Sequence, residues 1–311
     1  MIILRSPKFT IDKLAFSPDG GWLVSPRQGH GILRWTLSEA NAPTLHPVVP
    51  DWRTAVHFTP DGKSMILDGK RVYIRDMMTE DEVEAKFSRS VLGRVSLTKD
   101  GQGFIAVLNS YYASTSSRVV FRSISNPKVD VWSVGVSRNF CGTAFYLPGN
   151  MQFVTVEYQT GEGYGIGEGR VDPGLVFVTR DALTGLPISE TCYPGRGYID
   201  VVPSPDFQYF ATTLKGKSIA VFRTQDTHAP VAVIKNFYRP DLTGVAFHPS
   251  GGHLAVTSDD ATVKVYDTTT WKVATKFSWA IGPLRGVAFS QDGLLAAAGG
   301  IGKIVVWDWD L

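Results

Sequence analysis

An internal repeat constrains this chain more than any other feature. An apolar triplet followed by a turn rich in Pro, Asp and Gly recurs as LAFSPDG from Leu14, AVHFTPDG from Ala55, RVSLTKDG from Arg94, GVAFHPSG from Gly244 and GVAFSQDG from Gly286. Looser copies are GTAFYLPGN from Gly142 and DVVPSPDF from Asp200. A second short apolar run follows each copy, and then a third in step: ILRWT at Ile32, VYIRD at Val72, VVFRS at Val119, VFVTRD at Val176, IAVFR at Ile219, VKVYD at Val263 and IVVWD at Ile304. The clearest copy runs from Thr243 to Trp271 and reads as three strands joined by two tight turns. The runs are short and β-branched, and Gly, Pro, Ser and Asp punctuate them, which favours strands and leaves no room for a helix of ordinary length.

A unit this small cannot cover its own apolar faces, so its copies must stack on one another. A period of roughly 40 residues is that of a four-stranded propeller blade. About seven copies predict an all-β chain: a seven-bladed β-propeller of four-stranded antiparallel blades, forming a single domain over residues 1–311. The last copy ends at its third strand, so Ile2–Arg5 is expected to pair with Ile304–Trp309 and complete the last blade. On these residues the chain resembles the WD40-repeat family over nearly its whole length. The first strands with their SPDG-type turns carry the resemblance, together with VKVYD at Val263–Asp267 and IVVWD at Ile304–Asp308. It departs from the family pattern in two ways. Trp307-Asp308 is the one true Trp-Asp pair, and no Gly-His pair precedes a first strand, since Gly29-His30 falls in a second-to-third-strand turn. Ser258 and Asp260 match two positions of the family's Asp–His–Ser–Trp hydrogen-bond set, with Tyr266 in the Trp position. Cohesion is therefore expected mainly from apolar packing between blades. The resemblance implies a non-catalytic scaffold that binds other proteins or peptides.

Composition is compatible with this. A hydrophobic fraction of 43% and 8 Trp suit stacked sheets, and a net charge of +2 argues against whole-chain attraction to nucleic acid. The strand assignments place Cys141 just before the innermost strand of the fourth blade and Cys192 in its outermost strand. Three strand spacings of about 4.8 Å separate them, roughly 14 Å, whereas a disulfide needs Cα atoms within about 7 Å. Two free thiols favour a cytoplasmic setting. The apolar stretch of MIILRSPKFT is too short for a signal peptide, and no run approaches a membrane span. A soluble cytoplasmic monomer without membrane contact is the expectation.

Propeller geometry sorts the loops by face, with fourth-to-first connections and second-to-third turns on one side. Those connections carry cations and aromatics. The candidate partner-binding residues are Trp52, Arg53, Arg94, Arg138, Arg196, Tyr198, Tyr238, Arg239, Trp279 and Arg285, with Lys8, Lys13, Arg89 and Phe140 beside them. The opposite side receives Asp19, Asp61, Asp100, Asp206 and Asp292 from the SPDG-type turns, plus an acidic loop at Glu80–Glu84. Arginine pairs bidentately with carboxylate or phosphate and aromatics supply contact area, so the rim suits another protein or an acidic or phosphorylated peptide. Nucleic acid fits less well, because the cations would form a ring and not a stripe. The plainer reading is solvated arginines, with aspartates serving turn chemistry.

The longest insertion, Glu157 to Gly174, alternates glycines from Gly161 to Gly169. Glu162 and Glu168 would repel phosphate, and no helix or lysine completes a phosphate cradle. Calcium held by Glu157, Glu162, Glu168 and Asp172 would lack a recognised spacing, so the segment reads as a hairpin loop suited to recognition. No cofactor or metal is expected. The six histidines, His57 in an innermost strand among them, show no metal-ligand spacing, and no nucleophile motif appears. Two alternatives stay open: a propeller enzyme, hydrolase- or lactonase-like, with a channel active site, and a structural protein self-associating through its basic and acidic faces.

Overall fold

The computed structural model describes residues 1–6, 10–27, 31–39, 43–46, 55–69, 71–87, 91–109, 117–136, 140–149, 151–159, 174–194, 197–214, 218–235, 241–300 and 302–309. Among these, 28 strands form seven four-stranded antiparallel sheets, with one 3-10 turn at Leu37–Glu39. Strand β1 is Ile2–Arg5. Sheet one is Ala15–Phe16, Trp22–Arg27, Gly31–Thr36 and Thr44–His46 (β2 to β5), and sheet two is Ala55–Phe58, Ser64–Asp68, Val72–Asp76 and Glu82–Ala85 (β6 to β9). Sheet three is Val91–Leu97, Gly103–Asn109, Arg118–Ser123 and Trp132–Gly135 (β10 to β13), and sheet four is Phe140–Tyr146, Gln152–Gln159, Gly174–Asp181 and Pro187–Pro194 (β14 to β17). Sheet five is Gly197–Pro203, Tyr209–Leu214, Ser218–Arg223 and Ala232–Lys235 (β18 to β21), and sheet six is Leu242–Phe247, His253–Ser258, Thr262–Asp267 and Val273–Ser278 (β22 to β25). Sheet seven is Leu284–Phe289, Leu294–Gly299 and Lys303–Asp308 (β26 to β28), with β1 as its fourth strand. The fold class is the seven-bladed β-propeller that the repeat count predicts.

The expected exchange between the two ends of the sequence is present: Ile2 pairs with Val306 and Leu4 with Ile304. The first strands of sheets three to seven begin two to three residues earlier than the apolar triplets suggest, which draws Arg94, Cys141, Tyr198 and Arg285 out of the connections and into strands. A second correction concerns the acidic stretch after Thr79. Glu82–Ala85 is strand β9, not loop, because Arg71 and Arg75 reach its glutamates and offset their charge.

The first-to-second-strand turns explain why Asp and Gly recur in them. Ser17 donates its hydroxyl to Asp19 Oδ1 at 2.5 Å, and the same oxygen accepts the Gly21 N–H at 3.0 Å, while Gly20 takes φ 71°. Thr59, Asp61 and Gly62 repeat the arrangement at 2.7 Å, with φ 69°. A residue bearing a Cβ is strained at such a φ, so glycine belongs there.

By internal contacts the chain divides into two compact units. One comprises Met1–Leu67, Ser204–Asp206 and Lys235–Leu311; the other comprises Asp68–Pro203 and Phe207–Ile234. In the first, Leu4, Leu23, Leu33, Trp35, Ala296, Ile304 and Val306 form a buried cluster joining sheets one and seven. Trp35 is fully buried and donates its indole N–H to the Arg5 carbonyl at 3.2 Å, tying sheet one to β1. A further cluster joins sheets six and seven through Val263, Val265, Leu284, Leu295, Val305 and Trp307. In the second unit, Phe145, Phe177, Phe210 and Phe222 interlock sheets four and five with ring centroids 4.9 to 5.3 Å apart.

Two predictions follow from these contacts. Leu4→Ala removes a buried anchor of β1 and is expected to cost about 2–5 kcal/mol in a denaturant titration. Acid acts through the turn carboxylates. Asp19, Asp61 and Asp100 lie below the usual carboxylate range, chiefly through the hydroxyls of Ser17, Thr59 and Thr98, and Asp267 is lowered to about 2 by Thr269 and Thr270. A folded-state pKa below the unfolded one means stability present above the ordinary aspartate value of 3.8 and lost as pH falls through the lowered values. The melting temperature should hold between about pH 7 and 5 and fall below about pH 4, less steeply in Asp267→Asn.

Candidate interaction surface

Five of the innermost strands, β10, β14, β18, β22 and β26, carry a register irregularity near their start. In β22, Leu242 pairs with Ser258 and Gly244 with Thr257, so Thr243 is the extra residue. In β26, Leu284 pairs with Gly299 and Gly286 with Ala298, so Arg285 is extra. In β10 the irregularity spans Gly93 and Arg94, in β14 it falls at Gly142, and in β18 it includes Tyr198. A bulge bends its strand and re-aims the side chain that has no partner opposite. Thr243 uses this to donate its hydroxyl to the Leu284 carbonyl at 2.7 Å, linking sheet six to sheet seven. The glycines that follow make the approach possible. A Cβ on Gly244 would lie 2.9 Å from the Arg285 carbonyl oxygen, and one on Gly286 would lie 3.1 Å from that of Asp12.

Three of the ten candidate residues have described side chains. Arg285 is exposed, and its guanidinium has no hydrogen bond or ion pair among the described residues. Arg94 is half-buried in β10, where the adjacent Val95 N–H is received by buried Asp68 at 3.0 Å. Trp279 is half-buried and stacks on Phe277 with centroids 5.8 Å apart and planes at 3°, and it meets Trp307 at 4.3 Å. Its ring therefore helps to pack sheet six on sheet seven. Tyr198 is placed by its backbone in β18. Trp52, Arg53, Arg138, Arg196, Tyr238 and Arg239 lie outside the described residues, as do Lys8, Arg89 and the insertion from residue 160 to 173.

In the first unit the acidic turns stand side by side. Positions for a Cβ on Gly251, Gly293, Gly20 and Gly62 fall beside Asp206, His248, Asp292 and Pro18 of the neighbouring turn in each case. Asp206, Asp292, Asp19 and Asp61 thus belong to one row. Each accepts a hydroxyl two residues earlier, from Ser204, Ser290, Ser17 and Thr59, so turn chemistry explains the choice of Asp. The sixth sheet breaks the pattern: His248 and Ser250 occupy these positions, linked at 2.8 Å. His248 also meets Phe289 and Trp309 edge-on at 5.0 and 5.6 Å.

Glu157, at the start of the insertion, is already committed. It is completely buried in β15 and receives Arg180 Nη2 at 2.8 Å and the Thr155 hydroxyl at 2.8 Å. Arg180 also donates to Thr155 Oγ1 and to the Gly185 carbonyl. Cys141 faces Glu157 across the ladder, and burial with the nearby carboxylate pushes its thiol well above the ordinary range. Cys192 is exposed, and both cysteines are free. Among the described residues no three His, Cys, Asp or Glu side chains converge as a metal site.

Sequence reasoning missed a set of arginines. Trp35, Tyr266 and Trp307 occupy one position near the end of the third strands, each opposite a leucine of the second strand. In the second unit Arg75, Arg122 and Arg180 stand there instead, all buried. Arg75 pairs with Glu80 and Glu82 at 3.0 Å. Arg122 pairs with Asp130 at 2.7 Å, donates to the Lys86 and Pro127 carbonyls, and lies 3.9 Å over the Phe87 ring. The signal was visible in VYIRD, VVFRS and VFVTRD, where Arg stands in the place expected for Trp.

A family model described as WD domain, G-beta repeat matches residues 230–267, which run from the last strand of sheet five to the end of β24. That match falls on the repeat whose strand and turn pattern the other sheets share. Over that stretch the chain is similar to WD40-repeat proteins. A similar protein is pre-mRNA-processing factor 19 of Oryza sativa subsp. japonica, 26% identical over 101 residues, a span of 32% of this chain and 19% of that protein. Sheets two to four replace the third-strand aromatic of sheets one, six and seven with a buried, carboxylate-held arginine. Removing one partner strands a buried charge, so Glu157→Gln and Arg180→Met should each cost about 3–5 kcal/mol, and Glu157→Leu combined with Arg180→Met should cost less than the sum, as read from denaturant midpoints.

Proposed function

We propose that this protein is a non-catalytic scaffold that binds another protein, or an acidic or phosphorylated peptide, through the basic and aromatic residues at and beside its fourth-to-first connections. Arg285 carries the reading. A guanidinium that is exposed, without a partner among the described residues and set on a bulged inner strand is presented outward from a rigid support. Such a fork accepts a carboxylate or phosphate bidentately, and strand backbone positions it more firmly than a loop would. Arg94 shares the bulge position, and Trp52, Arg53, Arg138, Arg196, Tyr198, Tyr238 and Arg239 extend the set by sequence. Propellers of the WD40 family generally serve as platforms for other proteins, and the matched repeat at residues 230–267 supports that reading. The setting we propose is cytoplasmic, supported by the free thiols Cys141 and Cys192.

The test uses a phosphopeptide library. Arg285→Glu, and separately Arg53→Glu with Arg239→Glu, are expected to weaken capture about tenfold at about 0.1 M salt while the melting temperature is kept. Capture equal to that of the wild type in both variants would overturn the assignment.

A further inference from the structure

Three of the third-to-fourth-strand turns share one plan. Asp76, Asp181 and Asp267 each accept the backbone N–H groups of the residues two and three further on. Each aspartate also donates its own N–H to the carbonyl five further on, of Asp81 at 2.9 Å, Leu186 at 2.9 Å and Lys272 at 3.0 Å. These bonds align the turns position by position. One place holds Met78, Leu183 and Thr269, and another holds Asp81, Leu186 and Lys272. The plan accepts threonine at the first and aspartate or lysine at the second. The turn therefore does not call for the two leucines of sheet four.

Other apolar side chains gather about them. The Met151 carbonyl receives the Ala182 N–H at 2.9 Å, and Ile188 follows the turn into β17. Trp132 of β13 donates its indole N–H to the Ala182 carbonyl at 3.0 Å. Its ring also fills the space of a Cβ on Gly185, 2.8 Å away, so the turn is pinned to sheet three. In sheet three, Asp130 turns inward to Arg122 at 2.7 Å, and its neighbours Val129 and Val131 are exposed. Val129, Val131, Met151, Leu183, Leu186 and Ile188 are between 54% and 72% exposed. Summed, they present roughly 600 Å², at the top of the range of about 300–600 Å² for the largest apolar patch of a typical monomer.

Area and charge together select what covers these side chains. A standard interface buries about 800 Å² on each partner. About 65% of a homodimer interface is apolar, so roughly 500 Å² of apolar surface is needed on each subunit, which the six side chains supply. Charge favours no other partner. Asp130 is held by Arg122 and Asp181 by backbone N–H groups, and Lys128 is the one exposed cation among the described residues of these two turns. An acidic segment or an anionic membrane finds little to attract it there. Across a two-fold axis, by contrast, apolar side chains meet apolar side chains and no unpaired charge is buried. We propose that the outer turns of sheets three and four pair this chain with a second copy of itself, in place of the monomer expected from the sequence. None of the six residues belongs to the fourth-to-first connections, so the proposal stands whether or not Arg285 binds a partner.

Sedimentation equilibrium of the full chain is the test. The wild type is expected to dimerise with a dissociation constant of about 10 µM or lower. The dimer should persist at about 0.5 M salt, where exposed charge pairs are screened. Leu183→Thr with Leu186→Lys gives sheet four the residues that sheet six carries in the same turn. That double variant is expected to keep the circular dichroism spectrum and to weaken the dimer at least about tenfold. Val131→Thr keeps a β-branched side chain and is expected to weaken it about threefold. If the double variant loses the strand spectrum, Val131→Thr alone decides. A wild type still monomeric at about 100 µM, a dimer lost at high salt, or dimerisation unchanged in either folded variant overturns the proposal. A monomer that binds vesicles of neutral phosphatidylcholine overturns it too, because the patch then serves a membrane.

Discussion

Each sheet of this protein is four strands wide and apolar on both faces, so none can exist alone in water. Burying one aliphatic side chain is worth about 1.5–3 kcal/mol, and the sheets obtain that only from their neighbours. Every other feature answers to this requirement. Glycines at 244 and 286 let adjacent inner strands approach, and the bulge before each disposes of the extra residue. The turn aspartates satisfy backbone groups that tight connections would leave bare.

Both units meet the requirement with apolar packing, and the second adds buried ion pairs. In the first, aromatic and aliphatic side chains fill the spaces between sheets, with Trp35 and Trp307 at the key position. In the second, three arginines enter the same position, and each is buried only because carboxylates or carbonyls receive its donors. Desolvating an ion pair returns little net stability, but it penalises any packing that separates the partners. Shape and non-directional attraction act in both units, and in sheets two to four directional bonds also tie the third strand to its neighbours within each sheet.

The fold was legible because its signal is repeated. The Asp-Gly turns and the third strands recur, so errors in one copy are corrected by the others, and the pairing of Ile2–Arg5 with β28 follows from counting strands. Strand starts were less legible. Arg94, Tyr198 and Arg285 read as connection residues because a bulge interrupts the alternation that marks a strand. Glu157 read as the edge of a glycine-rich insertion because its partner Arg180 is distant in sequence. Trp279 could be recognised as an exposed-type aromatic, but its stacking on Phe277 and Trp307 depends on a neighbouring sheet.

The ladder between β1 and β28 joins residues far apart along the polypeptide, Ile2 with Val306. During synthesis β1 emerges well before its hydrogen-bonding mate. Until β28 follows, an unpaired apolar strand must wait, and Leu4 has no core to enter. Contacts of such long separation are slow to form, and waiting strands are prone to wrong pairings. Nascent chains of this protein should therefore depend on chaperones until β28 has left the ribosome.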